Sequence, residues 1–149
     1  MEYTLTKFVH VTLAIIAVGF NASYAIWIVR SQRDPEHIGF VMRTIKLLDD
    51  RFANPAYGLL LITGLFMVFT AGYPLTTPWI GIAIVLYVVA IVMAFTLITP
   101  NFRRAIRALE TDGATSATYA RAMSRGRLYG ITISIVVLAI VFLMVVKPT

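Results

Sequence analysis

Four stretches of this chain, residues 8–29, 55–71, 79–99 and 128–146, contain no aspartate, glutamate, lysine or arginine. Each holds about 20 residues, the length a helix needs to cross the hydrocarbon core of a bilayer. Lipid offers no hydrogen bonds to backbone amides and carbonyls, so such stretches must close their own bonds as helices. With 59% hydrophobic and 13% charged residues in 149, little chain remains for a soluble catalytic domain. The reading is an all-α, four-helix transmembrane bundle forming a single integral membrane domain over residues 1–149. The first stretch, with Lys7 ahead of it and Ser23 and Ala25 within it, also fits a cleaved signal peptide. Glu2 offsets Lys7, and the stretch is taken as a retained helix.

The basic residues are distributed unevenly. Arg30, Arg33, Arg43, Lys46 and Arg51 follow the first stretch, and Arg103, Arg104, Arg107, Arg121, Arg125 and Arg127 follow the third. Only Lys7 and Lys147, of 13 lysines and arginines, lie at the opposite ends. The positive-inside rule makes the crowded side cytoplasmic. Both termini are then expected outside, in a multi-pass protein of the plasma (bacterial inner) membrane. The net charge of +6 is accordingly assigned to a membrane face, and no nucleic-acid partner is expected. Trp79 and Tyr73 suit the outer interface and Trp27 the inner one. Gly72-Tyr73-Pro74-Leu75-Thr76-Thr77-Pro78 reads as a tight external turn.

The two basic segments also read as helical. Asp34-Pro35-Glu36 has the form of a helix start. Ile38, Val41, Met42, Ile45, Leu48 and Phe52 then recur at helical spacing opposite Arg43, Lys46 and Asp50, as in an amphipathic interfacial helix. A basic helix is expected over residues 100–110, broken at Asp112-Gly113, with another running from about Thr115 into the last span. Arginine faces of this kind (Arg103, Arg104, Arg107, Arg121, Arg125, Arg127) favour anionic lipid headgroups.

Polar groups inside spans are costly and usually face other helices. His10 and Asn21 fall within about 20° of each other on the helix wheel, with Ala14 and Ala17 between them and Tyr24 at the border. Gly130 and Ser134 form a small-xxx-small pair on the last span, and Thr63-Gly64 offers another point of close approach. The plain reading is a packing seam. The alternative is that His10 ligates a b-type haem or copper, with Met144 or an exogenous ligand opposite. A bis-histidine haem would need a second buried histidine, and His37 lies in the cytoplasmic segment. Asp49 falls in the apolar stripe of the amphipathic helix and calls for a partner, such as Arg51 in a structural ion pair or an arginine of the second basic segment.

The chain has no cysteine, which rules out disulfides, thiolate metal sites, thioether-linked haem and iron–sulfur clusters. Walker, dinucleotide-binding, HExxH and Gly-x-Ser-x-Gly patterns are missing. No broken-helix pair or inverted repeat points to a secondary transporter, and small-molecule transport is the weakest reading.

Three stretches carry a resemblance: Lys7-Phe8-Val9-His10-Val11; Asp50-Arg51-Phe52-Ala53-Asn54-Pro55 with Leu61-Ile62-Thr63-Gly64-Leu65; and Phe142-Leu143-Met144-Val145-Val146-Lys147-Pro148. Together they resemble the predicted integral membrane family of unknown function numbered twenty-two sixty-nine. The layout is also similar to CopD-type copper-resistance proteins and HemJ-type protoporphyrinogen oxidases, which have an early histidine in the first helix. In the HemJ type that histidine is associated with haem, which by resemblance implicates His10. The chain departs from that type at Asn21-Ala22-Ser23-Tyr24, where a Trp-Phe-Ala-Gly-Leu stretch would stand. The expectation is a protein that acts by association, as an accessory subunit of a respiratory or photosynthetic membrane complex, with a His10 redox protein as the alternative.

Overall fold

The computed structural model describes residues 1–148. Six α-helices follow one another: α1 (Glu2–Ser31), α2 (Ile38–Leu48), α3 (Asn54–Thr70), α4 (Pro78–Met93), α5 (Thr99–Asp112) and α6 (Ala117–Val146). A π-helical turn, Asp49–Ala53, joins α2 to α3, and another, Ala94–Ile98, joins α4 to α5. Among the described residues there is no strand. Four continuous helices are long and apolar enough to cross a membrane: Glu2–Ser31, Ile38–Thr70, Pro78–Asp112 and Ala117–Val146. At about 1.5 Å of rise per residue, even the 30-residue helices exceed a hydrocarbon core of about 30 Å. Their charged ends extend beyond it.

The chain divides into two compact units, the first ending at Leu75 and the second starting at Thr76. In the first, α1 packs along α3, and α2 turns back against the end of α1. Contacts pair early residues of α1 with late residues of α3 (His10 with Thr63) and later ones with earlier ones (Asn21 with Tyr57), so the two helices run antiparallel. In the second unit, α6 packs against both α4 and α5.

Each π turn has an identifiable cause. The sequence reading started helices at Pro55 and Pro100, but in the structure both prolines lie inside continuous helices. A proline within a helix lacks the amide for an i−4 bond, and its ring collides with the carbonyl four residues back. One extra residue in the preceding turn relieves that collision. The amides just ahead of the prolines reach back five residues: Asn54 N–H donates to Asp49 O, and Thr99 N–H to Ala94 O. Such π turns bend a helix and are frequent at functional sites.

The amphipathic helix is corrected at its start. It begins at Ile38, not at Asp34-Pro35-Glu36. Residues 32–37 form tight turns in which Asp34 N–H donates to Ser31 O and His37 N–H to Asp34 O. The Asp34 carboxylate meets His37 Nδ1 at 2.8 Å instead of capping the helix. The buried stripe of α2, Ile38, Met42 and Ile45, has the expected phase, while Phe52 beyond it is 54% exposed. In the second unit the break falls at Gly113, where φ of +86° suits a residue without a Cβ. Ser116 then caps α6 by accepting a hydrogen bond from Tyr119 N–H at 3.2 Å.

Candidate functional site in the first helical unit

The face of α1 from His10 to Tyr24 lies against α3. His10 Nδ1 is 2.8 Å from Thr63 Oγ1, and that hydroxyl is also 2.7 Å from Leu59 O, one turn back on its own helix. A hydroxyl has one proton. When Thr63 donates it to Leu59, His10 must donate from Nδ1, and Nε2 keeps its lone pair. Gly64 makes the approach possible, because a Cβ there would stand 3.1 Å from His10 Cε1. Below this point Ala17 is fully buried with Ala56 and Leu60, and Leu13, Ala14 and Tyr57 pack around them. Small residues in α1 let the two backbones approach closely, which is how helices associate where no water remains to be expelled.

Further along, the Asn21 side-chain amide donates to Ala17 O at 3.0 Å and to Tyr57 Oη at 2.9 Å. Tyr57 Oη also lies 3.5 Å from Ala17 O. Tyr24 is buried, and its hydroxyl has no hydrogen-bond partner among the described residues. Asp49, half-buried on the π turn, lies close enough to act electrostatically on the Tyr24 and Tyr57 hydroxyls. Its carboxylate accepts from Asn54 Nδ2 at 3.3 Å. Asp50 faces outward and pairs with Lys46. Asp49 and Arg51 therefore do not form the ion pair considered from the sequence. Neighbouring positions on this tight turn point apart, and the amide of Asn54, five residues on, reaches the carboxylate instead.

The remaining candidates lie in the second unit. Nothing is within 4 Å of a Cβ built on Gly130, and Ser134 donates its hydroxyl to Gly130 O at 2.7 Å within its own helix. The close approach in this unit is at Gly126 instead, where a Cβ would be 3.3 Å from Asn101 Nδ2. Asn101 is buried and donates to Ala122 O at 2.8 Å, while its Oδ1 has no partner among the described residues. Asn101, Ala105 and Ala108 form the buried face of α5. Arg103, Arg104 and Arg107 are exposed on the same helix, and Arg121, Arg125 and Arg127 are exposed on α6. Met144 is an exposed residue of α6, 37% accessible. His10 and Met144 thus belong to different units. Among the described residues no three of His, Cys, Asp or Glu gather into a metal-binding cluster.

The sequence reading missed Tyr57, Asn54 and Asn101. Asn101 had a usable signal, since it is in phase with Ala105 and Ala108 on a helix that also carries arginines. Tyr57 carried none, because an aromatic near a span end is equally suited to the interface.

These helices, with their in-span polar contacts, are those of a membrane protein, and over residues 4–148 the chain matches the family described as Predicted integral membrane protein (DUF2269). The chain belongs to this family. The resemblance carried by the motifs around His10, Asn54-Pro55 and Met144 is thereby confirmed. No curated protein and no solved structure matches the chain.

Proposed function

We propose that this protein acts by association, as a small accessory subunit within a larger respiratory or photosynthetic membrane assembly. The observation that carries the reading is the use made of its polar groups within and next to the spans. His10, Asn21 and Asn101 are each committed to a contact with a neighbouring helix of the same unit. The outer flanks present large apolar side chains such as Ile15, Val85 and Ile135, suited to lipid or to the helices of other subunits. The chain lies in the plasma (bacterial inner) membrane with both termini outside and the six arginines of α5 and α6 at the cytoplasmic surface among anionic headgroups. Purification in mild detergent tests the association: stable recovery with larger subunits is expected, and a monodisperse free monomer overturns it.

A second reading is favoured by one detail of the His10 ring. An Nδ1 held by a hydroxyl orients the imidazole and makes Nε2 the nitrogen that would ligate haem iron or copper, as outer contacts do at many metal sites. An exogenous group would supply the opposite ligand. The residues fit a single-histidine attachment. A Soret band or stoichiometric copper that disappears in His10→Ala supports this reading, and a colourless, metal-free preparation overturns it.

A further inference from the structure

A groove of about 760 Å³ opens where α1 ends and the chain turns into α2. It straddles the boundary at which the first apolar stretch gives way to charge. Its lining combines the apolar Ile26, Trp27, Val29 and, from α2, Val41 with the cationic Arg30 and Arg33. Ile26, Trp27 and Val29 are all more than half exposed, so the apolar wall is open rather than filled by the chain itself.

The charges at its mouth are unbalanced. Neither Arg30 nor Arg33 is paired with an acid among the described residues. The one carboxylate in the lining, Asp34, is engaged by His37 Nδ1 at 2.8 Å. Ser31 is buried beneath the turn, and its hydroxyl is used on Ile28 O at 2.9 Å. What remains on offer is two guanidinium groups, donors that match a phosphate oxygen pair, above an apolar trench bordered by an interfacial tryptophan. A phospholipid has the same order of chemistry along its length.

We propose that this groove is a binding site for a single anionic phospholipid, its phosphate held by Arg30 and Arg33 and its upper acyl chain lying along Ile26, Trp27 and Val41. Charge complementarity selects the occupant. Two unpaired cations beside hydrocarbon favour a headgroup of net negative charge over a zwitterion, whose own ammonium repels them. The site rests on the membrane location of the chain and is independent of whether the protein serves as an accessory subunit or binds a metal. It also differs from the arginines of α5 and α6, which lie on exposed helix faces.

Trp27 reports on the site directly. The chain has two tryptophans, so Trp79→Phe leaves Trp27 as the only indole. In this background, full-length protein in mixed micelles is titrated with brominated phosphatidylglycerol or brominated phosphatidylcholine, and quenching is read. Phosphatidylglycerol is expected to quench Trp27 at about thirtyfold lower mole fraction, from two cations near an anionic headgroup. The preference should vanish in Arg30→Gln/Arg33→Gln and persist in Lys46→Gln/Arg51→Gln, which removes the same charge elsewhere. Equal quenching by the two lipids, or equal loss of preference in both double variants, overturns the proposal. So does a Trp27 shielded from both lipids, which would assign the groove to a protein segment. Salt titration of the Trp79→Phe protein gives a readout that needs no arginine variant: the preference should weaken as ionic strength rises.

Discussion

Gly64 lies under the His10 imidazole so closely that a Cβ on Gly64 would stand 3.1 Å from His10 Cε1. A polar ring can enter the α1–α3 contact only because the facing helix has no side chain at that position. The hydrogen bond to Thr63, one residue earlier, then fixes its orientation.

Gly64→Ala is therefore expected to destabilise the protein by about 1–3 kcal/mol, the usual cost of overpacking. Gly58→Ala, with nothing within 4 Å of the new Cβ, should leave stability unchanged or slightly raised. The double variant Gly64→Ala/His10→Ala should lose less than the two single changes combined, because removing the ring removes the collision. Thermal unfolding in detergent, followed by fluorescence, measures all four. Strict additivity would show that the ring and the glycine do not meet.

Asn101→Asp should be destabilising in a pH-dependent way. Asn101 donates to Ala122 O, and a carboxylate at that position has nothing to donate. Only its protonated form can make the bond, so its folded pKa must lie above its unfolded value. The deficit is then smallest near pH 4, around the ordinary aspartate pKa, and grows as pH rises. At neutral pH a loss of about 2–3 kcal/mol is expected from an unsatisfied buried group. Asn101→Ala serves as the control, with a loss that is flat in pH. Unfolding midpoints between pH 4 and 8 separate the two.

Arg51→Gln should change stability by less than about 0.5 kcal/mol, as for a surface change that breaks no network. Asn54→Leu, which removes the donor to Asp49, should cost about 1 kcal/mol. The reverse order in the same unfolding assay would restore the Asp49–Arg51 pair.

Topology can be read with single cysteines, because the natural chain contains none. Thr76→Cys should react with a membrane-impermeant maleimide in intact cells. Ala114→Cys should react only after permeabilisation. The opposite pattern would invert the orientation proposed from the arginines.

The spans were legible because their signal is long and repeated: about 20 uncharged residues leave one solution in lipid. The seam from His10 to Asn21 was legible as a face, since residues eleven apart on a helix return to nearly the same direction. Its partners on α3 were not, because a helix wheel says nothing about which neighbour it meets. Gly130 and Ser134 show the limit of small-residue spacing. A serine that bonds its own carbonyl one turn back can face any medium, so the pair makes no demand for a second helix. The helix start at Asp34-Pro35-Glu36 misled for a local reason: the aspartate had two possible uses, and His37, three residues on, took it.

The two π turns set the order of elements along the chain. Its first unit runs from an uninterrupted helix of 30 residues to one of 33 that contains a π turn, and its second from one of 35 that contains a π turn to an uninterrupted helix of 30. The order of the second is the order of the first read backwards. Each bend answers the same local demand, a helix that must accommodate a proline near where its apolar stretch meets a charged one.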